Sequence, residues 1–314
     1  MKFTTTVDTM PASVKIDYRS RVLSFGSCFS ENIGARLQRA MFQIDINPFG
    51  VLFNPASIAQ NIDSLMENKA LTANNLLKNG SLYFNFSFNT SFSATSAEKC
   101  LEQINARFVS AVANLKNADF LLITFGTAWI FELRCTGELV ANCHKLPAEN
   151  FLRRRLSIDE IVFIFEKLFL KLKTVNQNLR IILTVSPVRH AKDGLHENNL
   201  SKSILLLAAE KLQQMFANVA YFPAYEIVMD ELRDYRFYAP DLLHPSEMAI
   251  DYVWEKFAET FFSEKTKKTV HLAEKFAAAC KHIPLHPETE EYSNFLKIRE
   301  KHKAELEKII GRKI

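Results

Sequence analysis

The chain has 314 residues, of which 48% are hydrophobic and 24% are charged, a composition that suits one elaborated globular domain or two small ones. Its formal net charge is only +4 and no basic stripe interleaved with aromatic residues is visible, so we expect no nucleic-acid partner. No stretch approaches the roughly 20 apolar residues of a membrane span, no signal-peptide core is visible, and five cysteines, an odd count, suit a reduced interior, so we predict a cytoplasmic protein.

The first informative stretch predicts a strand, a sharp turn and a helix. An apolar run over 22–25 ends at Gly26, and the small residues Ser27, Cys28 and Ser30 precede a helical pattern. A turn between a parallel strand and its helix lies at the carboxyl edge of the sheet, where open α/β folds bind ligands. The free N–H groups of the helix start favour a thiolate and a developing oxyanion, so this turn is the first candidate for chemistry.

The next elements alternate between strands and helices. A strand candidate at 42–46 ends in a turn that contains Asn47 and Gly50, and Asn54 caps a predicted helix to residue 66. Apolar residues alternate over 80–93, which predicts a hairpin or flap outside the main sheet. Helical spacing then returns over 100–115.

The middle of the chain predicts two more buried strands. The first covers 119–125 and runs into Thr127 and Ala128, after which 130–144 predicts a second hairpin. A capping box at Ser157 opens a helix that continues to residue 172. The second strand covers 180–185 and is followed by a loop that carries Arg189 and His190, where the carboxyl end of a strand would place both residues near Cys28.

The last third contains a helix at 200–215, a strand at 219–222 and a loop with Asp241 and His244 before a helix to residue 262. An aspartate three residues before a histidine can orient the imidazole through one nitrogen and leave the other free as a base. The lysine- and glutamate-rich segment 263–314 predicts a helical extension that packs on the domain or mediates self-association.

Five strands separated by helices predict an α/β protein with three layers, in which helices cover both faces of a parallel sheet. The turn with Ser27 and Cys28, the loops at the strand ends and the late histidine would then meet at one edge of the sheet. The cysteines have no spacing typical of metal ligands, and we expect neither a metal nor another cofactor.

The run Gly26-Ser27-Cys28-Phe29-Ser30 differs by one residue from the pattern that names the GSCFA family, and with the late Asp-x-x-His-Pro the chain resembles that family over most of its length. The family in turn resembles the SGNH (GDSL-like) hydrolases, which act on esters and transfer acyl groups. The resemblance implies a flavodoxin-like sheet in a domain over 1–262, with insertions at about 80–93 and 130–144 and an extension over 263–314.

The resemblance also implies roles for single residues. Ungapped placement on the SGNH motif puts Cys28 in the nucleophile's position, while a shift of one residue would make Ser27 the nucleophile. His244 would be the base and Asp241 its orienting partner. Gly50 matches the glycine whose N–H helps to form the oxyanion hole, and Asn47 lies in the same turn.

One departure from the SGNH pattern concerns the third motif, which normally ends in an asparagine that donates into the oxyanion hole. Ala128 stands in its place here. Thr127 or a group from another loop, such as His190, would then supply the donor, or the hole is weaker. Arg189 and His190 are alternatively candidates for binding an anionic part of the substrate.

These residues leave three function classes open. The first is a hydrolase or acyltransferase that acts on a small-molecule or glycan ester or thioester. The second is a degenerate SGNH-like binding or scaffold protein, which the loss of the asparagine motivates. The third is a thiol redox sensor that depends on oxidation of Cys28. A homo-oligomer through the C-terminal helices is possible in each class.

Overall fold

Strands occupy ten segments of residues 4–9 and 11–314, the part of the chain that the computed structural model describes. In chain order they are β1 (Arg21–Gly26), β2 (Gln43–Ile46), β3 (Leu77–Asn79), β4 (Leu82–Phe84), β5 (Phe120–Phe125), β6 (Trp129–Leu133), β7 (Leu139–Val140), β8 (Phe151–Arg155), β9 (Arg180–Val185) and β10 (Val219–Phe222).

The helices in the same described part are α1 (Cys28–Arg39), α2 (Pro55–Glu67), α3 (Ala97–Asn117), α4 (Ile158–Val175), α5 (Leu195–Met215), α6 (Ala224–Glu226), α7 (Glu247–Phe261), α8 (Glu264–Lys281) and α9 (Glu290–Ile310). A π-helical turn (Ile227–Glu231) continues α6. None of these helices is both long enough and apolar enough to cross a membrane.

The central sheet has the strand order β10-β9-β5-β1-β2, and all of its pairings are parallel. When the five strands of this sheet are renumbered in chain order and read from the β2 edge, the order is 2-1-3-4-5, that of the flavodoxin-like topology. The predicted fold class and its five strands are therefore confirmed. The chain winds outward in both directions from β1, so the topological switch point lies between β1 and β5, where ligands of open α/β sheets bind.

Alternating residues of the buried strands face two hydrophobic clusters. Leu23 of β1 and Leu121 of β5 pack with helices α2 to α5 on one side. Val22 and Leu122, one position away in each strand, pack with α1, α6, α7, α8 and α9 on the other. Burial on both faces explains why these strands are continuous apolar runs, and the helices form the two outer layers.

The predicted helix starts coincide with observed side-chain caps. The Asn54 Oδ1 accepts the Ser57 N–H at 2.8 Å at the start of α2. Ser157 and Glu160 form the capping box of α4. A cap of this kind stabilises a helix by about 1 kcal/mol, so the local sequence determines where these helices begin.

The strand prediction over 80–93 is wrong beyond residue 84. β3 and β4 form a short antiparallel hairpin, and the chain then turns. Asn85 Oδ1 accepts the Ser87 N–H and Asn89 Oδ1 accepts the Ser91 N–H. Such local side-chain bonds compete with a strand ladder, so the apolar side chains of this segment are buried from irregular backbone.

The hairpin predicted over 130–144 is observed as β6 and β7, but β8 joins it as a third strand. The sequence does not predict β8, because the charged residues of this arginine-rich segment are typical of a loop. The Arg154 guanidinium pairs with the Glu132 carboxylate of β6, and Arg153 lies 4.2 Å from the centre of the Trp129 ring. Cross-strand pairs therefore stabilise a segment whose own composition does not predict a strand.

The C-terminal helices pack on the domain. Val270 and Phe276 of α8, together with Leu306 and Ile310 of α9, are buried in the cluster that contains α1 and α7. Of the two roles predicted for this extension, packing is observed. The division into units at residue 262 stays a prediction.

Candidate active site

The turn after β1 gives Ser27 and Cys28 different environments. Ser27 is 1% exposed and is the N-cap of α1, where its Oγ accepts the Phe29 N–H at 3.3 Å. Cys28 is the first residue of the helix and is only partly buried. The serine hydroxyl is thus engaged in capping, whereas the thiol lies in the first turn of the helix.

The electrostatic balance at Cys28 favours the thiol over the thiolate. Burial raises the pKa of the Cys28 thiol, and the Glu31 carboxylate acts in the same direction. The backbone N–H groups of Cys28 and Phe29, with the charge of Lys202, oppose this rise in pKa. A nucleophilic Cys28 therefore needs a base to remove its proton.

Two glycines let the backbone segments of the site approach closely. Gly26 has a φ of +150°, and a Cβ on it would lie 2.5 Å from the Thr124 carbonyl oxygen. A Cβ on Gly126 would lie 2.8 Å from the Phe53 carbonyl oxygen and 3.4 Å from the Ser27 Cβ. The ends of β1 and β5 thus touch at the switch point, which requires residues without side chains.

Asp241 and His244 form a hydrogen-bonded pair, with 2.6 Å between Asp241 Oδ2 and His244 Nδ1. The N–H groups of His244 and Leu243 donate to Asp241 Oδ1 at 3.0 Å, and with the imidazole they lower the pKa of Asp241 to about 2. An ionised aspartate favours the tautomer with its proton on Nδ1, which leaves Nε2 free to accept a proton. Both side chains are about half exposed, so solvent and substrate can reach them.

The loop that carries this pair packs beside the loop after β9. The Arg189 N–H donates to the Leu243 carbonyl oxygen at 3.4 Å. Burial lowers the pKa of His190 to about 4, and the charges of Lys202 and His244 contribute. Lys202 also acts on the pKa of Cys28, so the same lysine influences both His190 and Cys28.

The position of the missing asparagine is filled by packing and local bonds. Ala128 is fully buried, and its N–H donates to the Ser201 Oγ at 2.8 Å. The Thr127 Oγ1 lies 3.1 Å from the same Ser201 Oγ and accepts the Trp129 N–H. The Thr127 N–H donates to the Phe53 carbonyl oxygen. Thr127 is therefore engaged within the protein, which disfavours it as an oxyanion donor.

The N–H of Gly50, in the turn after β2, is also engaged within the protein. Its N–H donates to the Asn47 carbonyl oxygen at 2.8 Å, so this amide closes a turn. Asn47 itself is buried, and its Oδ1 accepts the Gly26 N–H at 2.9 Å. Among residues 4–9 and 11–314, the buried Nδ2 of Asn47 has no hydrogen-bond partner. Leaving a buried donor unpaired costs about 1–3 kcal/mol, and a hydrogen bond to a substrate oxygen would recover this cost. Asn47 is therefore a better candidate for the oxyanion donor than Gly50.

His190 is a neutral imidazole at neutral pH because of its low pKa. Its ring packs edge-on against the Phe53 ring at 5.9 Å, and the backbone N–H of His190 donates to Oδ1 of the buried Asn198. A neutral imidazole binds no anion by charge, so of its two predicted roles the hydrogen-bond donor fits better. Arg189 remains the candidate for binding an anionic part of the substrate.

Lys202 of α5 is a further candidate site residue that the sequence motifs do not indicate. It is 1% exposed, and its Nζ donates to the carbonyl oxygens of Gly126 and Ser186 at 2.6 Å each. Burial lowers its pKa to about 7, which a Cys28 thiolate would raise. The signal was present in the sequence, because Asn198, Ser201 and Lys202 occupy the helix face that continues to the buried Leu205.

The low pKa of Lys202 predicts a pH-dependent stability. Between about 7 and the ordinary value of 10.5, the unfolded chain binds more protons at this lysine than the folded chain does. Its contribution to the free energy of unfolding therefore rises with pH, by up to about 1.4 kcal/mol per pH unit. Urea unfolding of the wild type and Lys202→Met from pH 6 to 10 should show this rise in the difference, with Lys211→Met, an exposed lysine of α5, as the control. A difference that is constant with pH would contradict the prediction.

The topology and these residues define the class as a doubly wound α/β protein with a cysteine turn after its first strand and an Asp–His pair late in the chain. The profile of the GSCFA family matches residues 21–257, and the chain belongs to this family, as its turn motif predicts.

Among solved structures, the chain is similar to the crystal structure of a carbohydrate esterase family 3 protein from Talaromyces cellulolyticus. The identity is 8%, the match covers 82% of this chain and 99% of the other, and the TM-score is 0.36. A comparison with curated protein sequences finds no match.

Proposed function

We propose that the protein is an acyl-group enzyme that acts on ester or thioester bonds, with Cys28 as nucleophile, His244 as general base and Asp241 as its orienting partner. The observation that supports this proposal most strongly is the ionised Asp241 hydrogen-bonded to His244 Nδ1, on a loop whose Leu243 carbonyl oxygen accepts the N–H of Arg189 just after β9. The arrangement leaves one imidazole nitrogen free for proton transfer.

The proposed reaction has two steps. His244 Nε2 takes the thiol proton as the Cys28 sulfur attacks the carbonyl carbon, and the bond to the leaving alcohol or thiol breaks as that group receives the proton. Water, a sugar hydroxyl or an amine then loses a proton to His244 and attacks the acyl-cysteine, which releases the acyl product and restores the thiol. Water makes the enzyme a hydrolase, and the other acceptors make it an acyltransferase.

The choice of Cys28 over Ser27 rests on accessibility and on chemistry. Ser27 is 1% exposed and its oxygen caps α1, so its attack would cost the helix its N-cap. Cys28 is partly exposed, and a thiol is the stronger nucleophile once a base is present.

For the oxyanion we propose the backbone N–H of Cys28 and the side chain of Asn47. The Nδ2 of Asn47 is a buried donor without a partner in the described part of the chain, and its Oδ1 is anchored to Gly26, two residues before Cys28. A preorganised donor of this kind stabilises charge that appears only in the transition state. His190 is a second donor candidate because its imidazole is neutral.

The test is to map an acyl adduct. The protein is mixed with an activated acyl ester, quenched rapidly in acid and analysed by peptide mass spectrometry, beside His244→Ala and a heat-denatured sample. We expect an adduct on Cys28 in the wild type, much less of it in His244→Ala and none in the denatured control. An adduct on Ser27 would reassign the nucleophile.

The alternative is a binding protein that retains the fold without the chemistry, and the buried Ala128 in the asparagine's position is the observation that favours it. If panels of short- and long-chain esters and thioesters all leave the turn unlabelled, this alternative replaces the enzyme. Labelling of the heat-denatured sample at the same level as the native protein would indicate ordinary thiol reactivity and would also count against catalysis.

A further inference from the structure

We propose that a cavity beside this site binds a phosphate group of the substrate, so that the enzyme acts on phosphate-bearing acyl esters or thioesters; the inference rests on the proposed function. The cavity has a volume of about 910 Å³. Its lining includes Arg189, Arg233 and Lys202, three tyrosines, among them Tyr225 and Tyr238, and one carboxylate, Asp234.

Three lining residues connect the cavity to the proposed reaction centre. Arg189 precedes His190, and Leu243, another lining residue, precedes His244. Lys202 contributes to the lining, while its Nζ donates to the Gly126 carbonyl oxygen close to the Cys28 turn. A substrate that occupies the cavity would therefore present a neighbouring acyl bond to the edge of the sheet.

The cations of the cavity lack carboxylate partners, whereas several other arginines of this protein have them. Arg154 and Arg155, for example, pair with Glu132 and Glu197. Within residues 4–9 and 11–314, by contrast, Arg189, Arg233 and Lys202 form no ion pair, and the buried Nε of Arg189 has no hydrogen-bond partner. The lining carboxylate, Asp234, pairs with Arg236 at 3.5 Å, so the cavity keeps an excess of positive charge.

The lining favours phosphate over other anions. The planar guanidinium donors of Arg189 and Arg233 match phosphate oxygens in bidentate fashion, and their two positive charges suit a phosphate better than a carboxylate, which carries only one negative charge. Burial raises the pKa of Tyr225 and Tyr238, so both hydroxyls keep their protons and can donate to an anion. Apolar side chains on the remaining walls leave room for an uncharged part of the same molecule.

The first arm of the test measures binding without catalysis. Inorganic pyrophosphate is titrated calorimetrically into the wild type, the single variant Arg233→Gln, the double variant Arg189→Gln/Arg233→Gln and the control Arg180→Gln. Arg180 is an exposed arginine at the opposite end of β9. We expect binding about tenfold weaker in the single variant and a larger loss in the double variant, with the control unchanged. Arg233 is exposed, so its variant keeps the test valid if the double variant does not fold.

The second arm measures turnover of two thioesters that differ only in their phosphates. Acetyl-coenzyme A carries them, and S-acetyl-N-acetylcysteamine has the same scissile bond without them. We expect kcat/KM for acetyl-coenzyme A to fall at least tenfold in Arg233→Gln, while that for the small thioester changes less than about twofold.

Four results would decide between the two proposals or overturn the phosphate site. Equal pyrophosphate binding by the wild type and both variants, or citrate binding as tight as that of pyrophosphate, would overturn the phosphate site. Loss of both thioester activities to the same extent in Arg233→Gln would also overturn it. If Cys28 is never acylated but Arg233→Gln still weakens pyrophosphate binding, the enzyme proposal fails and the phosphate site stands as that of a binding protein.

Discussion

Replacing Cys28 with alanine is expected to lower kcat for acyl-ester turnover by about ten-thousandfold or more, because the acyl-cysteine intermediate can no longer form. The residual rate would come from substrate binding and the oxyanion donors alone. Cys28 starts α1 and is partly exposed, so alanine should leave the fold intact. Steady-state kinetics on the ester that gives the strongest adduct, together with circular dichroism, measures both effects.

Ser27→Ala is the matched control for this prediction. It removes the N-cap bond to the Phe29 N–H, which should cost about 1 kcal/mol of stability. Activity at a temperature well below the melting transition should stay within a few fold of the wild type. If Ser27→Ala instead abolishes turnover while Cys28→Ala retains it, the assignment of the nucleophile is reversed.

His244→Ala is expected to lower kcat/KM by about a thousandfold, because the raised pKa of Cys28 keeps the thiol protonated in the absence of a base. Asp241→Asn should lower it by about a hundredfold, since asparagine retains a hydrogen-bond partner for the imidazole but not the charge that stabilises its protonated form. The control is His196→Ala, which alters an exposed histidine in the first turn of α5 and should leave kcat/KM unchanged.

A pH profile and a melting curve together test this positioning role of Asp241. The pKa of Asp241 is about 2, so its charge is constant above pH 4 and it should contribute no limb to the wild-type profile. A purely structural role would lower the melting temperature of Asp241→Asn and leave the shape of the profile unchanged. Unchanged kinetics in both His244→Ala and Asp241→Asn would remove the pair from the mechanism.

Local sequence was sufficient for the elements whose cause is local. The N-caps at Asn54 and Ser157 are short-range hydrogen bonds within the first turn of a helix, and the sequence predicts both. For α1 the sequence pattern places Cys28 on the turn, whereas the helix already begins at this residue. Buried parallel strands are equally visible, because both of their faces must be apolar. β8 escaped prediction because its stability comes from pairing with β6, which lies far away in sequence.

The contrast between Gly50 and Asn47 shows where a motif stops being informative. A pattern match assigns a role to Gly50, but only the folded chain shows that its N–H closes a turn on the Asn47 carbonyl oxygen. The same holds for Thr127, whose hydroxyl is engaged by Ser201 of a distant helix. Hydrogen-bond satisfaction depends on all neighbours of a group, and a sequence motif records only a few of them.

The sequence by itself determined the class of this protein: a parallel α/β sheet, a cysteine at the first strand–helix turn and a histidine with its aspartate three residues away. These features depend on periodicity and short spacing, which the chain carries locally. The tertiary structure alone decided that Lys202 donates to carbonyl oxygens just after β5 and β9, and that Arg189 and Arg233 share a cavity without carboxylate partners in the described part of the chain. Hydrogen-bond partners and charge balance depend on neighbours distant in sequence, so only the folded chain could reveal which groups these cations face.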